Sequence, residues 1–127
     1  MNHNRNHINV VWFKRDLRLL DNEAIYNAIQ SNKPTLLLYV FENSLENDPH
    51  YNARHWNFIK QSIVDINKQL AAFNTKILSV SGEVIAAFNS IQENYRIDTV
   101  YSHQETGLKI TYERDKSFKR FCKNNRF

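Results

Sequence analysis

The chain contains 127 residues with a formal net charge of +4; 42% of its residues are hydrophobic and 24% are charged. This length suits one domain with an ordinary core, and its two glycines, Gly82 and Gly107, lie 25 residues apart, which excludes a G-x-G-x-x-G and a Walker A loop. A single cysteine excludes an intramolecular disulfide and a Cys-x-x-Cys zinc site. Because the sequence shows neither a long apolar run nor a secretory signal, we expect a soluble, cytoplasmic domain without membrane contact.

The first part of the chain alternates apolar runs with a helical pattern. Residues 8–13 form a β-branched and aromatic run, typical of a strand that is covered on both faces. Asp21 or Asn22 can cap the helix that follows, with Asp21 favoured, and Asn32 ends that helix. A second and more apolar strand is predicted over 35–41. The inward positions predicted for the helix are Ala24, Ile25, Ala28 and Ile29.

The rest of the chain repeats this alternation after a polar loop predicted over 42–51. Residues 53–73 place apolar side chains three or four positions apart, which predicts one long amphipathic helix. The remaining predicted elements are a strand at 76–80, a helix at 83–94, a short strand at 99–102 and a helix at 111–123. The inward residues predicted for the last helix are Tyr112, Phe118, Phe121 and Cys122.

This order of elements fixes the predicted architecture. Strands joined through single helices pair in parallel with right-handed crossovers, so helices cover both faces of the sheet. We therefore predict one doubly wound, three-layer α/β/α domain over residues 1–127, with a Rossmann-like parallel sheet of four strands. Ligands of such sheets bind beyond the carboxyl ends of the strands, where the strand order reverses.

Two segments of the sequence are rich in charge. Within residues 14–22, three cations accompany two carboxylates, so the segment either satisfies its own charges, Asp16 pairing with Arg15 or Arg18, or cradles an anion. Residues 109–126 carry seven basic and two acidic residues. For this second segment we favour a solvated helix face, or a surface that docks on an acidic partner, over a nucleic-acid-binding helix.

The sequence contains no residue pattern typical of a metal site or of a catalytic site. Five histidines are scattered along the chain, and only His3 and His7, in the polar N-terminal stretch, have the i, i+4 spacing of a helical ligand pair, so no metal site is predicted. No nucleophile stands with a base, so no catalytic residue is predicted either. Trp12 and Trp56 both fall in core patterns and are expected to be core residues rather than electron carriers.

Residues 12–22 read W-F-K-R-D-L-R-L-L-D-N and resemble the opening motif of the DNA photolyase/cryptochrome family, W-F-x-R-D-L-R-x-x-D-N, at every fixed position. The resemblance continues in order and spacing. Arg54 and Trp56 look like the R-x-W of a family helix, and the R-D pair at 114–115 looks like the pair that begins a later one. The resemblance covers residues 8–123 and implies the N-terminal α/β domain of the family.

For this domain, the resemblance implies a role in light harvesting. The α/β domain of the family binds an antenna chromophore (a folate, a deazaflavin or a flavin) near the strand ends and passes its excitation to FAD. Carried over by position, Phe13 and Tyr39 would line an apolar slot, and Arg15 would face the polar edge of the ring or a phosphate. Glu42 and Glu105 would accept hydrogen bonds from ring N–H or hydroxyl groups.

The resemblance also implies partners outside these residues. In the family a larger helical domain holds FAD and the DNA-lesion pocket, and light-driven repair there is the work of a carbon–carbon lyase. We therefore expect that helical domain of the parent chain as partner, DNA contact only through it, and no activity from the 127 residues alone. A fifth strand of the family's sheet is expected beyond Phe127, which leaves the fourth strand as an edge open to self-association.

Two other interpretations stay open at the level of sequence. One is a stand-alone nucleotide-binding module of the universal-stress-protein type, which shares the α/β layering but has a glycine-rich loop where this chain has only Gly107. The other is an interaction domain without a ligand, which would use the basic last helix to dock on a partner.

Overall fold

A computed structural model of the chain describes residues 6–14, 22–47, 52–102, 109–125 and 127. Four parallel strands form one sheet in the order β3-β2-β1-β4. The strands are β1 (Asn6–Phe13), β2 (Thr35–Glu42), β3 (Leu78–Gly82) and β4 (Tyr95–Tyr101). The helices are α1 (Glu23–Gln30), α2 (Asn43–Glu46), α3 (Ala53–Leu70, prolonged by a 3-10 turn over Ala71–Phe73), α4 (Val84–Gln92) and α5 (Lys109–Asn125).

Each face of the sheet carries its own apolar core. Because successive side chains of a strand point to opposite faces, Val11 and Phe13 of β1 pack with α1 and α3. Val10 and Trp12 of the same strand pack with α4 and α5. The predicted three-layer, doubly wound α/β/α fold with a four-stranded parallel sheet is thereby confirmed.

Helix α1 begins one residue later than the favoured prediction. The side-chain oxygen of Asn22 accepts a hydrogen bond from the Ile25 amide, 3.1 Å away, so Asn22 is the N-cap and not Asp21, which lies outside the described residues. The end of the helix agrees with expectation: after the C-cap Ser31, Asn32 adopts a φ of 58°, the left-handed conformation that asparagine tolerates best after glycine.

Other boundaries also differ from the prediction: β3 lies two residues later than 76–80, and α5 extends two residues beyond 111–123 at each end. The loop expected over 42–51 contains the one-turn helix α2. Strand β4 begins at Tyr95, four positions before the predicted start, because residues 95–97 pair with Asn6, His7 and Ile8 of β1. A register irregularity between Ile8 and Asn9 separates this first stretch of pairing from the second. Pairing with β1 therefore extends β4 at its start, where the sequence itself is polar and shows no strand pattern.

The inward faces of two helices are also corrected. Tyr112 was expected to point inward, but its side chain is 44% exposed and the neighbouring Thr111 is buried instead. Ile29 of α1 was expected inward and is 66% exposed, whereas Ala24 and Ala28 are buried as predicted. In both helices, fewer residues are buried than the apolar pattern of the sequence predicts. None of the helices among the described residues has the length and apolarity that a bilayer crossing requires.

Candidate functional site at the carboxyl ends of the strands

The sheet has its topological switch between strands β1 and β4. Strand β1 leads into α1 on one face of the sheet, while its neighbour β4 leads into α5 on the other. The connections that leave these two strands therefore diverge, and open α/β sheets bind ligands in the crevice that such a divergence creates. The segments that follow the two strands, 15–21 and 103–108, lie outside the described residues.

Phe13 and Tyr39 are brought together, as the sequence predicts. They are register partners, Phe13 as the last residue of β1 and Tyr39 three residues before the end of β2, and both face α1 and α3. Phe13 is 0% and Tyr39 is 6% exposed. The ring of Phe41 lies 4.9 Å from that of Tyr39 and 6.3 Å from that of Trp56, centroid to centroid. An aromatic cluster thus closes this end of the α3 face.

Glu42 lies on the opposite face of the sheet from that aromatic cluster. It follows Leu38 and Val40 in the alternation of β2, and both of these pack in the core of α4 and α5. Its Oε2 accepts a hydrogen bond from Nε of Arg114 at 3.0 Å, and both side chains are almost fully buried. The sheet itself therefore separates Glu42 from Phe13 and Tyr39.

Arg114 belongs to a buried group of four alternating charges, which we call the ion cluster: Lys14, Glu42, Arg114 and Asp115. Nζ of Lys14 lies 3.1 Å from Oδ1 of Asp115, and the Lys14 side chain is 3% exposed. Arg114 donates to the same Asp115 oxygen through Nη1. Two cations balance two carboxylates, so the ion cluster is neutral as a whole, the condition under which charges are tolerated away from water.

The ring of Trp12 lies beside the two cations of the ion cluster. Nζ of Lys14 is 4.4 Å and Cζ of Arg114 is 5.0 Å from the ring centroid, within the range of cation–π attraction. Phe118 of α5 packs edge-on at 4.7 Å. Trp12 is therefore a core residue, as predicted, and Trp56 is a partly buried neighbour of the other core.

Sequence reasoning missed this ion cluster. It treated Lys14 as part of a local charged loop, whereas its partner Asp115 lies 101 positions away; the ion pair expected between Asp16 and Arg15 or Arg18 lies outside the described residues. One signal was available. Asp115 falls on the same helical stripe as Thr111, Phe118 and Cys122, and an acidic residue on an apolar stripe indicates a buried partner.

The predicted site residues thus have different outcomes. Phe13 and Tyr39 lie together on one face, Glu42 lies in the ion cluster on the other, and Arg15 and Glu105 fall outside the described residues. A recess of about 590 Å³ lies elsewhere, between α4 and strands β2 and β3, and none of the predicted site residues lines it. Among the described residues, no group of three or more His, Cys, Asp or Glu side chains is arranged to hold a metal ion.

Comparison with known proteins identifies the family. The model of the DNA photolyase family matches residues 9–127, nearly the whole chain. The chain belongs to the DNA photolyase family. The resemblance drawn from the motif at 12–22 is confirmed by this match.

This chain is 30% identical over 105 residues to cryptochrome DASH of Arabidopsis thaliana. The match covers 78% of this chain and 18% of the relative. The chain is 27% identical over 121 residues to cryptochrome-1 of Drosophila melanogaster, covering 91% of this chain and 22% of the relative. The chain therefore spans about a fifth of the length of the curated relatives that it matches.

Solved structures confirm the fold. A cryptochrome from Synechocystis superposes with a TM-score of 0.85 at 22% identity, over 97% of this chain and 26% of that one. A photolyase from the archaeon Sulfolobus tokodaii superposes with a TM-score of 0.82 at 19% identity, over 94% and 27%. In both cases the shared part is about a quarter of the longer protein.

Proposed function

We propose that this chain is the light-harvesting domain of a photolyase or cryptochrome. It binds an antenna chromophore and passes the excitation to FAD in a helical domain of the parent protein, in support of light-driven DNA repair or blue-light signalling. The observation that carries the proposal is the position of the family motif. Its first residues, Trp12 and Phe13, end β1 beside the topological switch, the edge at which sheets of this class take their ligands.

The described residues fit such a site in part. Phe13 and Tyr39 offer adjoining aromatic rings, but they are too deeply buried to be more than the floor of a chromophore slot. Glu42 offers a carboxylate at the end of β2, already bonded to Arg114. Arg15 and Glu105 are the proposed polar contacts from the segments that follow β1 and β4.

A flavin is the chromophore class that we propose to test first. The photolyase from Sulfolobus tokodaii is described with two FAD molecules and with an implied novel light-harvesting cofactor. Its superposition with this chain makes FAD the first probe to try, before a folate or a deazaflavin. Arg15 would then meet a phosphate, which matches the bidentate geometry of a guanidinium group.

We propose no catalytic residue among these 127. Lyase chemistry on pyrimidine dimers needs the electron that excited FAD supplies, and that FAD belongs to the helical domain of the family. The role proposed for this chain's own residues is to bind and orient the antenna ring. Expressed alone, the chain is expected to repair no cyclobutane dimers under illumination.

Equilibrium dialysis tests the proposal. The purified 127-residue chain is dialysed against FAD, a methenyl-folate, a deazaflavin and ATP in separate experiments. We expect saturable uptake of one of the three chromophores and no uptake of ATP. Uptake of ATP alone would replace the proposal with a nucleotide-binding module, and uptake of none would leave an interaction domain.

A further inference from the structure

The outer face of α5 carries a continuous row of cations, which we call the basic stripe: Lys116, Lys119, Arg120 and Lys123. All four side chains are exposed. Their spacing of three, one and three positions keeps them on one side of a helix with 3.6 residues per turn. Tyr112 precedes them on the same side, 44% exposed, with Nζ of Lys116 at 5.3 Å from its ring centroid.

The basic stripe is not neutralised within the part of the chain that the structure describes. The carboxylate of Asp115, on the buried side of α5, is bonded to Lys14 and Arg114 inside the ion cluster. Among the described residues, the hydrogen bond of Arg120 goes to the hydroxyl of Ser117, at 3.4 Å. Glu113 is the one acidic side chain on the exposed part of α5 among the described residues. The inner face of the helix is thus neutral and its outer face strongly positive.

We propose that the basic stripe binds the phosphodiester backbone of nucleic acid without regard to sequence. The stripe extends about 10 Å from Lys116 to Lys123 at 1.5 Å per residue, which spans about four successive phosphates at 3.4 Å per strand. Four cations on this length give charge complementarity with a polyanion.

The sequence pattern alone favours an acidic partner over nucleic acid for this helix, but the composition of the exposed stripe favours nucleic acid over an acidic protein surface. Three of the four cations are lysines, and lysine is depleted in protein–protein interfaces, whereas arginine and aromatic residues are enriched there. A lysine ammonium is a point charge on a flexible stem. It suits contacts with backbone phosphates, which carry no sequence information. The exposed ring of Tyr112 adds a surface on which an unpaired base can stack.

This contact is separate from the chromophore site and from the helical domain to which DNA binding was expected to be confined. The basic stripe lies on the outer side of α5, and the ion cluster lies on its inner side. Loss of nucleic-acid binding would therefore leave chromophore uptake unchanged. Failure of chromophore uptake would likewise leave this proposal standing.

Fluorescence anisotropy with labelled oligothymidylate tests the proposal on the 127-residue chain. We expect binding whose affinity falls about 50-fold between 50 and 200 mM salt, which corresponds to about four released counterions on a single strand. Replacing Lys116, Lys119, Arg120 and Lys123 by glutamine should abolish binding at 50 mM salt. A salt dependence near zero for the unaltered chain would overturn the proposal without recourse to any variant.

A matched control exists on the opposite side of the molecule. The exposed cations Arg54, Lys60, Lys68 and Lys76 on and after α3 also number three lysines and one arginine, so their replacement by glutamine gives the same net charge. The control variant should retain oligothymidylate binding within about two-fold. Equal losses in the two variants would assign the binding to overall charge. Binding of polyglutamate as tight as that of the oligonucleotide would assign the stripe to acidic proteins. Either result would overturn the proposal.

Discussion

Lys14 and Asp115 join the carboxyl end of β1 to α5 through charges that water hardly reaches. Bringing these groups out of water costs several kcal/mol per ion, and only their mutual attraction and further hydrogen bonds offset that cost. Arg114 supplies such bonds by linking Asp115 to Glu42. The ion cluster therefore fixes the helix after β4 to the ends of β1 and β2.

Substitution of Lys14 by methionine tests this account. The change leaves a buried carboxylate with one cation fewer, and the free energy of unfolding should fall by about 3 kcal/mol. Urea unfolding measures the loss. The control is Lys33→Met, whose partner Asp98 lies 3.0 Å away in a pair with a half-exposed lysine, and which should cost less than about 1 kcal/mol. Equal costs for the two variants would contradict a special role for the ion cluster.

Cys122 gives a prediction about reactivity. Burial raises the pKa of its thiol from 9.0 to about 11, so the thiolate fraction at pH 8 is about 100-fold lower than for an unperturbed cysteine. Iodoacetamide should therefore alkylate the folded chain about 100-fold more slowly than the chain unfolded in urea. Similar rates in the two states would show that α5 does not bury this thiol.

The ion cluster also shows what the sequence alone leaves open at this scale. Lys14 and Asp115 have no local pattern that links them, since an ion pair across 101 positions depends on which strands become neighbours. Phe13 and Tyr39 were assigned to one slot by the family resemblance, and the register of β1 and β2 places them side by side. Assigning Glu42 to the opposite face required the register of β2, because a shift by one residue exchanges the two faces.

At the scale of elements, helix termini are set by single side chains. Asn22 caps α1 through the Ile25 amide, so Asn22→Ala should lower the free energy of unfolding by about 1 kcal/mol. Asn22→Asp keeps an acceptor at the same position and should cost much less. Thermal or urea unfolding of the two variants measures the difference. An alanine variant as stable as the aspartate variant would contradict the capping role.

The elements divide by the origin of their stability. The sequence predicts a helix over 53–73, which agrees with α3 and the 3-10 turn that follows it. The prediction succeeds because the buried residues Ile59, Ile63, Ile66 and Leu70 repeat at helical spacing. The start of β4 could not be predicted, because Tyr95 and Arg96 are exposed and become strand only by pairing with Asn6 and His7. Helix α2 is a single turn and too short to show any periodicity.

At the scale of the molecule, β3 and β4 are the outer strands of the described sheet. Unpaired backbone groups along such edges invite pairing with a second chain. We therefore expect sedimentation velocity to show a concentration-dependent dimer. Tyr95→Lys, which places a charge at the start of β4, should shift the population toward monomer, and Tyr26→Lys, on the exposed side of α1, should not. A monomer at every concentration would contradict this expectation.

The whole chain corresponds to about a fifth of its curated relatives, and its proposed role is correspondingly partial. A light-harvesting domain must hold the ring of its chromophore in a fixed position. A sheet covered by helices on both faces is a rigid scaffold for that purpose. The two glycines of the sequence fit this role, because side chains rather than a glycine-rich backbone loop would grip the ligand.

A nuclear magnetic resonance titration shows where on the sheet the chromophore binds. Isotope-labelled chain is titrated with the chromophore that dialysis selects, and amide shifts are followed along the sequence. We expect saturable shifts at the carboxyl ends of the strands, at Phe13, Lys14 and Glu42. Shifts confined to the recess beneath α4, around Leu36 and Ala87, would contradict this expectation, as would the absence of any saturable shift.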